Sequence, residues 1–133
     1  MTDRLDPKSR KDLIEYKVEK ALQTVKEAEL LAGSNFYNAA VNRLYYSAYY
    51  AASALMLRES IETVTHKGIR MMLGLKFIQT GKLNREYGKI YQRLFESRQA
   101  GDYEDFVYYD KETFDELLPG TIKFIDAVRN LLH

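Results

Sequence analysis

The sequence predicts an all-α protein, an up-and-down bundle of about five helices, and three observations predict it. Apolar residues recur at three- and four-residue intervals through most of the chain. No stretch sustains the period-two alternation of a half-buried strand. Capping residues and glycines stand where the periodic segments begin and end. With 133 residues, 46% hydrophobic and 13% aromatic, the chain has enough apolar surface for one core. No low-complexity tract or linker divides it, so residues 1–133 read as a single domain.

The first helix lies between Pro7 and Gly33, with Asp6 as N-cap, Pro7 as a tolerated first residue and Gly33 as the stop. Ile14, Val18, Ala21, Leu22, Val25, Ala28 and Ala32 share one face, and charged residues take the other. Residues 36 to 59 form a second helix, apolar on nearly every side from Leu44 onward, which predicts a central position with neighbours on several faces. Ser60 to Thr65 is a connector. Thr65 is placed to cap a third helix through Ile69, Met72, Leu73, Phe77 and Thr80, ended by Gly81. Asn84 opens a fourth helix, with a stripe of Tyr87, Ile90, Tyr91, Leu94 and Phe95 that Gly101 interrupts. Asp110 caps a fifth, and Pro119-Gly120 inside its pattern predicts a kink or two short helices.

Composition narrows the function classes. There are no cysteines, which excludes a disulfide scaffold, a zinc ribbon and a thiol nucleophile, and His66 and His133 are the only histidines. Neither a metal site nor a cofactor is expected. The N-terminus lacks the apolar core of a signal peptide, and the uncharged run from Leu44 to Leu57 is too short to span a bilayer. A cytoplasmic setting away from membranes is the natural expectation.

Charge is balanced overall, with 20 Lys+Arg against 19 Asp+Glu, but not along the chain. Residues 66 to 98 hold Lys67, Arg70, Lys76, Lys82, Arg85, Lys89, Arg93 and Arg98 against Glu86 and Glu96, whereas residues 99 to 133 are mainly acidic. Such polarity either presents a positive face to phosphates or lets the basic helices pair with the acidic C-terminal segment.

Arg98 is the most informative of these residues. Counted in steps of 3.6 from Tyr87, it continues the apolar stripe of its helix and so must line a cleft or find a partner such as Asp102. Arg43 lies on the face of Ala39, Ala40, Tyr46 and Tyr50, where a structural role is expected of it. Tyr45, Tyr46, Tyr49 and Tyr50 read chiefly as core, with base stacking as the alternative. His66 reads as part of a cap or exposed turn. Gly74 to Gly81-Lys82 is not a phosphate loop, because the glycine spacing is too long and Leu83 follows the lysine.

Four segments in order, Asn42 to Ala52, Thr65-His66-Lys67-Gly68, Phe77 to Leu83, and Leu94 to Tyr103, resemble the HEPN domain (higher eukaryotes and prokaryotes nucleotide-binding) over about residues 10 to 130. The resemblance implies a helical bundle that commonly dimerises and is often encoded beside a minimal nucleotidyltransferase. Some members are metal-independent ribonucleases, toxins neutralised by that partner. Their motif is an arginine followed after four to six residues by a histidine at the dimer interface. Arg98 matches the arginine, but the histidine is missing, and the chain offers Tyr103 or Asp105 in its place. A phenol with an ordinary pKa near 10 is a poor proton acceptor at neutral pH.

The resemblance therefore implies a homodimer that binds a nucleotide, an RNA segment or a nucleotidyltransferase through a cleft lined by Arg98, Asp102 and Tyr103, with Arg43 nearby. Arg98 and Tyr103 are its candidate catalytic groups, and Tyr103, Tyr108 and Tyr109 are candidate hydroxyls for modification by the partner. A toxin endoribonuclease and a structural assembly module are the alternatives.

Overall fold

A computed structural model describes residues 5–63, 65–103 and 107–133, the side chains of 101–103 excepted. Its order is α1 (Pro7–Gly33), α2 (Tyr37–Arg58), α3 (His66–Leu73), a π-helical segment (Gly74–Ile78), α4 (Arg85–Tyr103) and α5 (Lys111–Leu132). The protein is an all-α bundle, as the periodicity predicts. Among the described residues there is no strand.

Helix starts follow local chemistry. The side chains of Asp6, Thr65 and Asp110 accept the backbone N–H of Ser9, Gly68 and Thr113, and each thereby satisfies a donor that the helix itself leaves unpaired. These bonds hold the carboxyls of Asp6 and Asp110 below the usual carboxylate range. A lowered folded-state pKa adds stability above the unfolded value and loses it as pH falls through the folded one. Asp110→Asn keeps the cap while removing the titration. Thermal melts taken downward from about pH 5 should therefore fall less steeply for this variant than for the parent.

Helix α1 ends at Gly33 as expected, with Asn35 at φ 67° taking the left-handed position that turns the chain, and ends differ from the sequence expectation in two other places. The third segment is α-helical only to Leu73 and then widens into the π segment, with Gly81 at φ 81° closing it. Gly101 does not interrupt α4, which runs on to Tyr103.

Pro119 does not divide α5 into two helices; Lys111–Leu132 is continuous across it. The proline removes the donor for the Asp115 carbonyl, and both residues are exposed, so water can reach the freed oxygen. Meanwhile Phe114, Leu117, Thr121, Phe124, Ile125 and Val128 hold one buried stripe on either side of it. Gly120 gives α4 room to close on α5, because a Cβ there would stand 3.3 Å from Ile90.

Helix α2 is central, packed by α1, α3, α4 and α5. Ala40, Ala48, Ala51, Ala52 and Ala54 are almost completely buried, and such small side chains let neighbouring backbones come close. No helix among the described residues is long and apolar enough to cross a membrane. Among the described residues the two charge blocks meet at an ion pair. Arg93 meets Glu116 at 2.9 Å, but Lys67, Lys76, Arg85 and Lys89 remain exposed.

Candidate anion site on a tyrosine platform

Consecutive tyrosines on α2 build the platform. Tyr45 and Tyr46 meet edge-on at 5.2 Å between ring centroids, and Tyr45 stacks with Tyr49 at 6.0 Å. Tyr46 lies 6.2 Å from Tyr50. Tyr45 is fully buried, whereas Tyr46, Tyr49 and Tyr50 are only partly covered. The platform thus belongs to the core on one side and to a surface on the other.

Arg98 reaches it from α4. Tyr91, Leu94 and Phe95 on the same stripe are buried, and Arg98, one turn further on, is half-buried. Its guanidinium lies 5.6 Å from the Tyr45 ring centroid and 5.8 Å from that of Tyr46. A guanidinium is planar and weakly hydrated, so it rests on aromatic faces and still offers N–H groups at its rim. Arg43 covers Tyr46 at 5.0 Å and meets Glu27 at 3.6 Å. Its structural role is therefore a ring contact and an ion pair, and through Tyr46 it shares a ring with Arg98.

His66 stands where the sequence puts the start of the third helix, as the first residue of α3 after the Thr65 cap, but it is partly buried and not an exposed turn. Its Nδ1 is 2.7 Å from the Tyr45 hydroxyl, and its ring lies 4.4 Å from Tyr49 and 5.7 Å edge-on to Tyr46. Gly68 sets this placement, since a Cβ there would collide with the hydroxyls of Thr63 and Thr65 and push the start of α3 away. Arg70, one turn along α3, was also missed. It covers Phe95 at 4.6 Å and donates to Gln92 at 2.9 Å, while its Nε is buried without a hydrogen bond.

Burial pushes the Tyr45 hydroxyl up to about 12, against the smaller opposite pulls of Tyr91 and of the positive charge on Arg98. Burial likewise raises Tyr49, and it holds Tyr91 well above the ordinary phenol value. These phenols keep their protons at neutral pH. They can support cations and hydrogen-bond to a guest, but they are not bases.

Asp102 and Tyr103 follow Arg98 on α4 with side chains outside the described residues, as is all of Asp105. The segment beyond is tied to α2 by Asn38, which donates to the Val107 carbonyl and accepts from the Tyr109 N–H. The Tyr109 hydroxyl donates to the Ser97 carbonyl, whereas Tyr108 is 80% exposed. Among the described residues no group of His, Asp or Glu side chains is arranged to hold a metal ion.

Comparison with known proteins bears on this arrangement. The profile of the HEPN domain matches residues 14–131. The chain belongs to the HEPN family. A UPF0332 protein of Thermotoga maritima is 34% identical over 124 residues, 93% of this chain and 94% of that protein. Two relatives from Methanocaldococcus jannaschii bear the name "Putative toxin": one is 32% identical, covering 90% of this chain and 81% of its own, and the other 28%, covering 94% and 92%. Three of the four HEPN-like segments meet at the tyrosine platform: α2 supplies the rings, Thr65 to Gly68 places His66, and the end of α4 brings Arg98. The fourth, Phe77 to Leu83, runs from the end of the π segment through the turn at Gly81.

Proposed function

We propose that this HEPN protein binds the phosphate of RNA or of a nucleotide through Arg98, as the toxin-like component of a toxin–antitoxin pair in the cytoplasm. It acts as a homodimer with the cleft at the dimer interface, and a nucleotidyltransferase is its partner. Asp102 orients the guanidinium, Tyr103 stacks or donates a hydrogen bond, and Arg43 adds positive potential. The observation that carries the reading is Arg98, half-buried on the Tyr45 and Tyr46 rings where an apolar stripe ends. A guanidinium is planar and always charged, and its fork of N–H groups matches the oxygens of a phosphate. The toxin names of two relatives point the same way.

Those names also favour a second reading, a metal-independent endoribonuclease. Arg98 would then stabilise the phosphorane formed by 2′-hydroxyl attack, with Tyr103 or Asp105 as the base. Labelled RNA incubated with the protein in EDTA separates the two. Binding without cleavage is expected. Cleavage lost in Arg98→Ala would establish the ribonuclease instead, and no binding of RNA or nucleotide would overturn both.

A further inference from the structure

We propose that the Arg98 site is one end of a longer track for single-stranded RNA, which crosses α2 and ends at Tyr16 on α1. The inference rests on the reading of Arg98 above and deepens it, naming the form of the RNA and a surface that holds it. Tyr46 and Tyr50 are four residues apart on α2, and Tyr16 and Lys20 four apart on α1, so each pair shares a helix face. Packing of α1 against α2 joins the two pairs. The Lys20 ammonium lies 5.0 Å from the Tyr50 ring centroid and 5.8 Å from that of Tyr16. Tyr50 in turn lies 6.2 Å from Tyr46, the ring on which Arg43 and Arg98 rest. Rings and cations thus form one row from α4 to α1.

Exposure rises along the row. Tyr46 and Tyr50 are half-buried, Lys20 is exposed, and Tyr16 is 57% exposed and lies outside both the core and the apolar residues packed against it. A base stacks on an aromatic ring whatever its identity, and the phosphate beside it is drawn to a cation. A lysine between two tyrosines therefore matches a phosphate between two bases. In a duplex the base faces are already taken by their neighbours, so only unpaired RNA can use the rings. The row is not uniformly basic, since Glu27 pairs with Arg43 at 3.6 Å and Glu19 adjoins Lys20 in the chain. Lys20 supplies the charge at the α1 end, and stacking supplies most of the hold.

The test uses the full chain with a fluorophore-labelled dinucleotide and a labelled single strand of about eight nucleotides, a length within the usual range for such grooves. The longer strand should bind at least about fivefold more tightly, the low end of one stacked base. Tyr16→Ala should abolish that gain while leaving the dinucleotide unchanged, and Tyr16→Phe, which keeps the ring, should retain it. Lys20→Gln should lower the slope of log affinity against log salt by about 0.7, the loss of one phosphate contact, whereas Tyr16→Ala should leave the slope alone. Thermal melts of these surface variants should match the parent. Equal binding of the longer strand by the parent, Tyr16→Ala and Lys20→Gln overturns the track and leaves the exposed rings to a protein partner. A duplex that binds as tightly as the single strand overturns it as well. The two readings fail separately. Parent-like binding of both RNAs by Arg98→Ala removes the Arg98 site, whereas binding that needs Arg98 but is indifferent to RNA length removes only the track.

Discussion

Replacing Arg98 with alanine is expected to weaken RNA binding by roughly tenfold to 150-fold, the equivalent of the about 1.5–3 kcal/mol carried by a hydrogen bond to a charged group. The fold should survive. The guanidinium contributes ring contacts at the edge of the core, worth about 0.5–2 kcal/mol, and nothing in the helix ladder depends on it. Arg98→Lys separates charge from shape, because an ammonium supplies the charge without the planar fork, and it should recover only part of the loss. Fluorescence anisotropy gives the affinities, and a thermal melt alongside shows whether the loss is local. If Arg98→Ala and the parent bind RNA equally, the tyrosine platform is only part of the core.

Phe124→Ala should do the reverse, sparing the site's own residues while removing much of the stability. Phe124 is completely buried on α5, with its ring 5.4 Å from that of Tyr91. Truncating a buried phenylalanine costs about 3–5 kcal/mol, since the lost transfer energy is joined by a cavity that close-packed neighbours fill only partly. That is a large share of the about 5–15 kcal/mol that holds a typical domain together. Urea denaturation should show the midpoint falling sharply. A shift of less than about 1 kcal/mol would mean that the contact of α5 with Tyr91 is not where the core is strongest.

The contrast between these variants reflects what a sequence can and cannot reveal. Residues that share a helix have relations fixed by 3.6 residues per turn, and so Arg98 could be placed on the stripe of Tyr91, Leu94 and Phe95 by counting alone. The central position of α2 was legible for a similar reason, because a helix apolar all round needs neighbours all round. His66 was not legible. Its role depends on where the start of α3 lands against Tyr45 and Tyr49 of α2, and no spacing within α3 carries that information. Arg70 was hidden in the same way, since its partners Gln92 and Phe95 belong to α4.

At Pro119 one of the two expected outcomes, a split into two short helices, does not occur. A proline on the exposed face leaves one carbonyl to water, and the buried stripe running past it keeps α5 whole. The charge blocks divide similarly. Pairing between the basic and acidic stretches is present at Arg93 and Glu116, but the exposed lysines leave positive charge available to a partner. Asp102, which helical spacing brought forward, and Tyr103 and Asp105, which the HEPN resemblance did, lie outside the described side chains. The case for the site therefore stands on Arg98, Arg43, His66 and the rings between them.

The most direct measurement observes the Arg98 guanidinium itself. In nitrogen-15-labelled protein its Nε–H resonance, assigned by its absence from the Arg98→Lys spectrum, can be followed as a short RNA is added. The account predicts a saturable shift of that resonance that follows the binding curve. RNA that binds and saturates while the Arg98 signal stays unmoved would contradict it.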